Sequence, residues 1–314
     1  MTEQAVIDVQ HLRKTYGATV AVADVCLTVR RGEIFGILGP NGGGKTTIVE
    51  TMVGLRPIDG GQIRVLGLDP HRDTWQVRER VGVQLQQARL PARLRVGEAL
   101  ELYASFYADP ADPAELMDHL GLTGQRRTAF ANLSGGQQQR LSIALALVGN
   151  PEIAVLDELT TGLDPQARRA TWDLIRHVRD RGVTIVLVTH FMDEAEHLCD
   201  RLAIIDHGTV VAAGRPGDLT IDTAGTRYLL HLPGHANPQT VQAAVHELPG
   251  VDTAHDGVIA VGGGPQVLTA VLVALAQHGI TPTDIRTHTR SLEDVYLGIA
   301  DSSTGQPASS SHRR

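Results

Sequence analysis

Residues 39–46 read GPNGGGKT, a cluster of glycines with a single lysine and a hydroxyl behind it. Glycine opens backbone conformations closed to other residues, so the N–H groups of Gly39, Asn41, Gly42, Gly43 and Gly44 can turn toward one anion, with Pro40, which has no N–H, shaping the loop between them. Lys45 would then reach the β- and γ-phosphates of a nucleotide, and the Thr46 hydroxyl would ligate Mg²⁺. Thr47 continues a helix-like stretch, TTIVETMVGL, whose positive N-terminal end adds to the attraction. The lysine itself is unusual, because the chain has 26 Arg and only two Lys, Lys14 and Lys45.

A second chemical feature is the run Ile153–Leu156 (IAVL) ending in Asp157 and Glu158. A carboxylate at the C-terminal end of a buried strand lies at the edge where α/β sheets bind ligands. There Asp157 would hold Mg²⁺ through water, and Glu158 would orient or deprotonate an attacking water. A third is LSGGQ, residues 133–137, leading into the helix-like QQRLSIALAL. Ser134, Gly135, Gly136 and Gln137 at a helix N-terminus make a second anion-binding geometry. The two cradles lie 95 residues apart, Gly39 to Ser134. One nucleotide does not need both from a single chain, which points to a head-to-tail pair in which each loop is capped by the other copy's Ser-Gly-Gly.

The elements that must hold these residues follow from the hydrophobic pattern. Ile34–Leu38, Ile153–Leu156, Val183–Val188 and Leu202–Ile205 are short, continuous apolar runs, as fully buried parallel strands read. Ile7–Val9 and Cys26–Val29 alternate more and read as antiparallel edge strands. Residues from about 87 to 149 lack β-branched runs and read as an inserted helical layer. Near GRPGD, residues 214–218, turn residues signal a second unit with the order strand, helix, strand, strand, helix, strand over residues 226–288, a split βαβ pattern. The tail, 301–314, is polar and Ser-rich and reads as disordered.

Composition narrows the setting. The 42 % apolar content supports a real core, and a net charge of −7 argues against nucleic acid as a partner. Cys26 and Cys199 are too few for a disulfide framework and read as free thiols in a reducing compartment. The first residues, MTEQAVIDVQ, lack a signal-peptide pattern, and no apolar run reaches the roughly 20 residues a membrane span requires. His177, His197 and His207 have no metal-ligand spacing and read as surface residues.

With the glycine loop and LSGGQ in one chain, residues 4 to about 218 resemble the nucleotide-binding subunit of an ATP-binding cassette (ABC) transporter. The resemblance implies an α/β fold: a P-loop NTPase core of ABC type, with a mixed sheet, an inserted helical subdomain and an antiparallel β subdomain. A small C-terminal α+β domain follows. It divides the chain into a nucleotide-binding domain (1–218), an accessory domain (219–300) and the tail. It also implies that Tyr16 stacks on adenine, that Gln86 contacts Mg²⁺ and couples to a membrane partner, that Asp164 in TTGLDP links two sites across a dimer, and that His190 contacts the γ-phosphate. Two positions depart from the family pattern. Gly43 stands where Ala or Ser is commoner, and Leu159 stands where proline is usual, so the turn carrying Glu158 is expected to be looser.

THFMDEAEHLCDRLAIIDHG, the extra domain and the ending SLEDVYLGIA together resemble the drug- and antibiotic-export ATPases of the daunorubicin-resistance type. That resemblance implies an ATP- and Mg²⁺-dependent hydrolase at the cytoplasmic face of a membrane, working as a homodimer with a separate permease. Import, DNA repair and translation use the same core. The interval between the glycine loop and LSGGQ is too short for the coiled coil of repair members, and one core per chain does not fit translation members.

Overall fold

A computed structural model describes residues 4–85, 90–221, 227–234, 236–246, 248, 250–255, 257–288, 292–293 and 295–296. Gln86 and the tail 301–314 lie outside the described residues. The chain divides into two compact units, Met1–Pro216 and Gly217–Arg314.

In the first unit, β1 (Ala5–Tyr16) and β2 (Thr19–Arg30) form a long antiparallel pair. There follow β3 (Ile34–Leu38), α1 (Lys45–Met52), β4 (Gly60–Val65), α2 (Thr74–Arg80) and β5 (Val81–Gln84). Then come α3 (Val96–Ala104), α4 (Pro113–His119) and α5 (Gly135–Leu147), the helical layer expected from the missing β-branched runs. The unit ends with β6 (Ile153–Asp157), α6 (Pro165–Asp180), β7 (Thr184–Thr189), α7 (Met192–Leu198), β8 (Arg201–Asp206) and β9 (Thr209–Gly214). One nine-stranded sheet runs β4-β1-β2-β9-β8-β3-β7-β6-β5.

The continuous apolar runs are the parallel centre of this sheet. Every residue of β3, β6 and β7 is buried, and β3 pairs in parallel with both β7 and β8, as β6 does with β7 and β5. Helices on the faces of a parallel sheet leave no solvated side, hence the lack of alternation. The alternating segments are antiparallel as expected, but they are not edges. β4 pairs with β1 on its outer side and takes that edge, and β5 takes the other. β4 and β5 were hidden because GGQIRV and VGVQ are too short and too glycine-rich to show a period.

Helix α6 shows why its segment folds as it does. Asp164 caps the N-terminus by accepting from the N–H groups of Gln166 and Ala167 at 2.9 Å each, and Pro165 occupies the first turn, where its missing N–H costs nothing. Thr171, Trp172, Ile175 and Val178 recur at helical spacing and form the buried face.

In the second unit, α8 (Pro216–Ile221) is followed by β10 (Arg227–His231), α9 (Pro238–Val245), β11 (Val251–His255), β12 (Val258–Gly262), α10 (Pro265–Gln277) and β13 (Asp284–His288). The four strands pair antiparallel in the order β11-β12-β10-β13, the split βαβ arrangement. Leu230, Ile259 and Val261 of the sheet pack against Val241, Val245, Val271 and Leu275 of α9 and α10.

Candidate functional site

The glycine loop leaves the C-terminal end of β3 and closes onto α1. Gly39, Gly42 and Gly44 have positive φ. Gly44 is the N-cap of α1 at φ 106°, and a Cβ there would stand 2.5 Å from the Ala21 carbonyl oxygen, so only glycine lets the helix begin here. Gly43 has ordinary φ, and a Cβ on it would meet the Pro40 and Ile205 carbonyl oxygens at 3.1 and 3.2 Å, a tight but adjustable fit. The loop is braced by Gly43 N–H donating to the Pro40 carbonyl (3.1 Å) and by Gly208 N–H donating to the Gly43 carbonyl (3.0 Å). Lys45 is buried, its Nζ donating to the carbonyls of Gly39 (2.8 Å) and Pro40 (2.9 Å). An ammonium has three donors, so one is left for an anion in the loop. Burial lowers the Lys45 pKa, and the charges of Glu158 and Asp157 oppose that. Thr46 and Asn41 are exposed at the mouth, with Thr47 half-buried behind them.

β7 lies between β3 and β6 in the sheet, so three adjacent strand ends deliver the loop, the carboxylates and His190 to one edge. Asp157 ends β6 and is 1 % exposed, with no hydrogen-bond partner for its Oδ2. Burial first, then the neighbouring charge of Glu158, pushes its pKa from 3.8 up to about 6, against the pull of Lys45. A buried carboxylate oxygen without a partner, close enough to Lys45 to feel its charge, fits a hard divalent cation bound by oxygen. Glu158 carries a left-handed backbone, φ 50°, held by its N–H donating to the Val188 carbonyl at 2.9 Å. Such a conformation costs energy in a non-glycine residue and collects at working sites. His190 follows β7, and its Nδ1 stands 3.3 Å from Glu158 Oε1.

The turn after Glu158 is not left loose by the absent proline. Leu159 is wholly buried, worth about 1.5–3 kcal/mol for a side chain of this kind, and anchors the turn by packing.

Other predicted residues lie elsewhere in the unit. Ser134 caps α5, its Oγ accepting from Gln137 N–H (3.3 Å) while Gln137 Oε1 accepts from Ser134 N–H (2.9 Å). Gly135 and Gly136 lie beside the loop of Asp164, within 3.8 Å of Leu163 and 3.6 Å of Ala167 for an added Cβ. Among the described residues, no hydrogen bond joins this helix start to the glycine loop. Asp164 is exposed and engaged as the cap of α6. Tyr16 closes β1, 41 % exposed, with Lys14 Nζ 5.5 Å and the Arg56 guanidinium 5.7 Å from its ring centre. His177, His197 and His207 are exposed.

Of two residues with positioning roles, Asp59 escaped the sequence reading and Gln84 entered it only as a neighbour of Gln86. Gln84 is buried at the end of β5, and its Oε1 accepts the Asp157 N–H at 3.1 Å. Asp59 accepts from Lys14 Nζ (2.9 Å), Thr15 N–H (2.7 Å) and Thr15 Oγ1 (2.7 Å), and these bonds draw its pKa down to about 2. It pins the end of β1 that carries Tyr16. Recognising VGVQ as a strand would have exposed Gln84; nothing local marks Asp59.

The ABC transporter family model matches residues 22–161. The Nod factor export ATP-binding protein I of Ralstonia nicotianae is 34 % identical over 302 residues, 94 % of this chain and 93 % of that protein. The chain belongs to the ABC transporter ATP-binding proteins. The daunorubicin resistance ATP-binding protein DrrA3 of Streptomyces coeruleorubidus is 35 % identical to this cassette over 301 residues, 93 % of this chain and 95 % of that one. Both relatives are named for export or drug resistance, as the resemblance in residues 189–208 led one to expect, and both matches are too long to stop at the first unit. Among solved structures, cbiO1 from Clostridium perfringens superposes with a TM-score of 0.64 at 26 % identity, covering 70 % of the cassette chain and 92 % of its own. The dimeric MJ0796 cassette bound to ADP and Pi gives 0.61 at 26 % identity, covering 67 % and 98 %. No helix among the cassette's described residues is long and apolar enough to cross a membrane.

Proposed function

We propose that this cassette binds ATP with Mg²⁺, hydrolyses it as one half of a head-to-tail homodimer, and drives a separate membrane permease that exports drugs, antibiotics or other amphipathic compounds. The observation that carries this is the convergence of Lys45, Asp157, Glu158 and His190 at the ends of β3, β6 and β7, with Glu158 and His190 3.3 Å apart.

The glycine loop, residues 39–44, would surround the β-phosphate with N–H groups while Lys45 gives its third donor to the β- and γ-phosphates and Tyr16 stacks on the adenine. Thr46, Asp157 and Gln86 would hold Mg²⁺, which supplies neutralisation of charge on the β- and γ-oxygens. Glu158 orients a water for in-line attack on the γ-phosphorus and accepts its proton as the bond to the β-phosphate oxygen breaks and ADP departs. His190 Nδ1 holds Glu158, and the ring contacts the γ-phosphate. The γ-phosphate would be completed by Ser134, Gly135, Gly136 and Gln137 of a second copy, with Asp164 communicating between the paired sites. That the MJ0796 cassette bound to ADP and Pi is dimeric supports the pairing of two copies. The export assignment follows the names of the two relatives. A permease would hold the cassette peripherally on the cytoplasmic face, and residues 219–300, which carry no catalytic motif, would form an accessory domain following the nucleotide-binding residues 1–218 in the chain.

Glu158→Gln tests the reading. It keeps the shape and the ATP affinity but cannot accept the proton, so turnover falls by about 10²–10⁴-fold and the chain sediments as an ATP-trapped dimer. Hydrolysis at the unaltered rate would remove Glu158 from the mechanism.

A further inference from the structure

On the outer face of the β1–β2 pair, three side chains of different chemistry converge. His11 Nδ1 stands 3.1 Å from Asp24 Oδ1 and 3.8 Å from Cys26 Sγ, and the three donor atoms all lie within 4.8 Å of one another. The convergence has a backbone cause. Val9 pairs with Leu27 and Leu12 with Val25, so Gln10 and His11 together oppose the single residue Cys26, a β-bulge. Strict alternation from buried Val9 would turn residue 11 inward; the extra residue turns His11 outward, beside Asp24 and Cys26, which share a face two apart on β2. His11 holds φ 51° to do this, and β4 accommodates it with Gly61, where a Cβ would lie 2.3 Å from the His11 carbonyl oxygen. The His11 N–H donates to Cys26 Sγ at 3.2 Å, which holds the sulfur beside the imidazole.

We propose that His11, Asp24 and Cys26 bind a thiophilic divalent metal ion of the Zn²⁺ class. Tetrahedral Zn²⁺ with the usual bond lengths sets its nitrogen and oxygen ligands about 3.4 Å apart and its nitrogen and sulfur ligands about 3.6 Å apart. The observed 3.1 and 3.8 Å to His11 Nδ1 need shifts of a few tenths of an ångström, and the Asp24 oxygen and Cys26 sulfur, within 4.8 Å of each other, close by at most about 1 Å through rotation of exposed side chains. The thiolate and imidazole select this class over Mg²⁺ and Ca²⁺, which take oxygen ligands. Three protein ligands leave one position for water or an outside donor. The site uses none of the residues assigned to the nucleotide.

The test uses the reduced, untagged full chain, stripped of metal and free of nucleotide, titrated with Zn²⁺ against a chromophoric chelator. One equivalent binds, and Cys26→Ser and His11→Ala each weaken that affinity by at least about 100-fold, since even groups outside the ligand set cost about 10–100-fold. Cys199→Ser leaves it unchanged, because that thiol is buried. In the unaltered chain, Zn²⁺ but not Mg²⁺ shields Cys26 from alkylation, a readout independent of any variant's folding. Equal Zn²⁺ affinity in Cys26→Ser, or alkylation of Cys26 at the same rate with and without Zn²⁺, overturns the proposal.

Discussion

Replacing Asp157 with Asn should make the nucleotide-free cassette more stable, although it removes a residue assigned to metal binding. Moving the carboxyl from 3.8 to about 6 makes its ionised form about 3 kcal/mol less favourable in the folded chain than in the unfolded one. The folded value lies above the unfolded one, so the favourable contribution of the neutral form is complete below about 3.8 and is lost as pH rises through about 6. Asn is neutral at every pH and escapes that loss. Its amide must still sit where Oδ2 has no partner, and an unpaired buried polar group costs about 1–3 kcal/mol. The net expected at about pH 7.5 is a gain of up to about 2 kcal/mol, at most about 8 °C in the midpoint of the first unit's transition, and it shrinks toward zero or below near pH 5. Differential scanning calorimetry in chelator at the two pH values measures it. The same variant should lose the extra stabilisation that ATP with Mg²⁺ gives over ATP alone. A midpoint lowered equally at both pH values would show that Asp157 contributes packing and not a strained charge, and the argument from burial would fall.

Lys45→Met removes the third phosphate donor, and ATP affinity by isothermal titration should fall by about 10–150-fold, the worth of one charge-assisted bond. Asp164→Ala deletes the cap of α6 and should cost about 1 kcal/mol in urea unfolding, whereas Asp164→Asn, also a good cap, should cost little. Leu159→Ala opens a cavity under the turn of Glu158 and should cost about 2–5 kcal/mol in the same assay, with a fall in turnover as the turn loosens.

What could be read from the chain was what local spacing encodes. The glycine loop, the carboxylates after IAVL and the histidine after TIVLVT are each contiguous with the strand that delivers them, so one-dimensional order predicts three-dimensional placement. Gln84 reaches Asp157 across 73 residues and Asp59 reaches Lys14 across 45, and no local pattern specifies such pairs. The same limit explains the strand edges. Alternation in β1 and β2 reported one wet face correctly, but whether a further strand pairs outside them depends on β4, whose own six residues are nearly featureless. Leu159 illustrates the converse: a substitution that weakens the local backbone argument is offset by burial that only the tertiary structure reveals.

The capping box at Ser134 has a bearing on how fast two copies could close on nucleotide. The cap uses the hydroxyl oxygen of Ser134 to accept the Gln137 N–H and leaves the hydroxyl hydrogen to donate, and the N–H groups of Gly135 and Gly136 in the first turn of α5 have no intrahelical acceptor. A phosphate arriving from a partner copy would therefore meet donors already fixed in place. No helical turn has to melt before contact, so part of the ordering cost of association is met in advance by folding. Such a surface is preorganised: the rate at which copies pair would be set by nucleotide occupancy and encounter, not by a slow rearrangement of the signature helix.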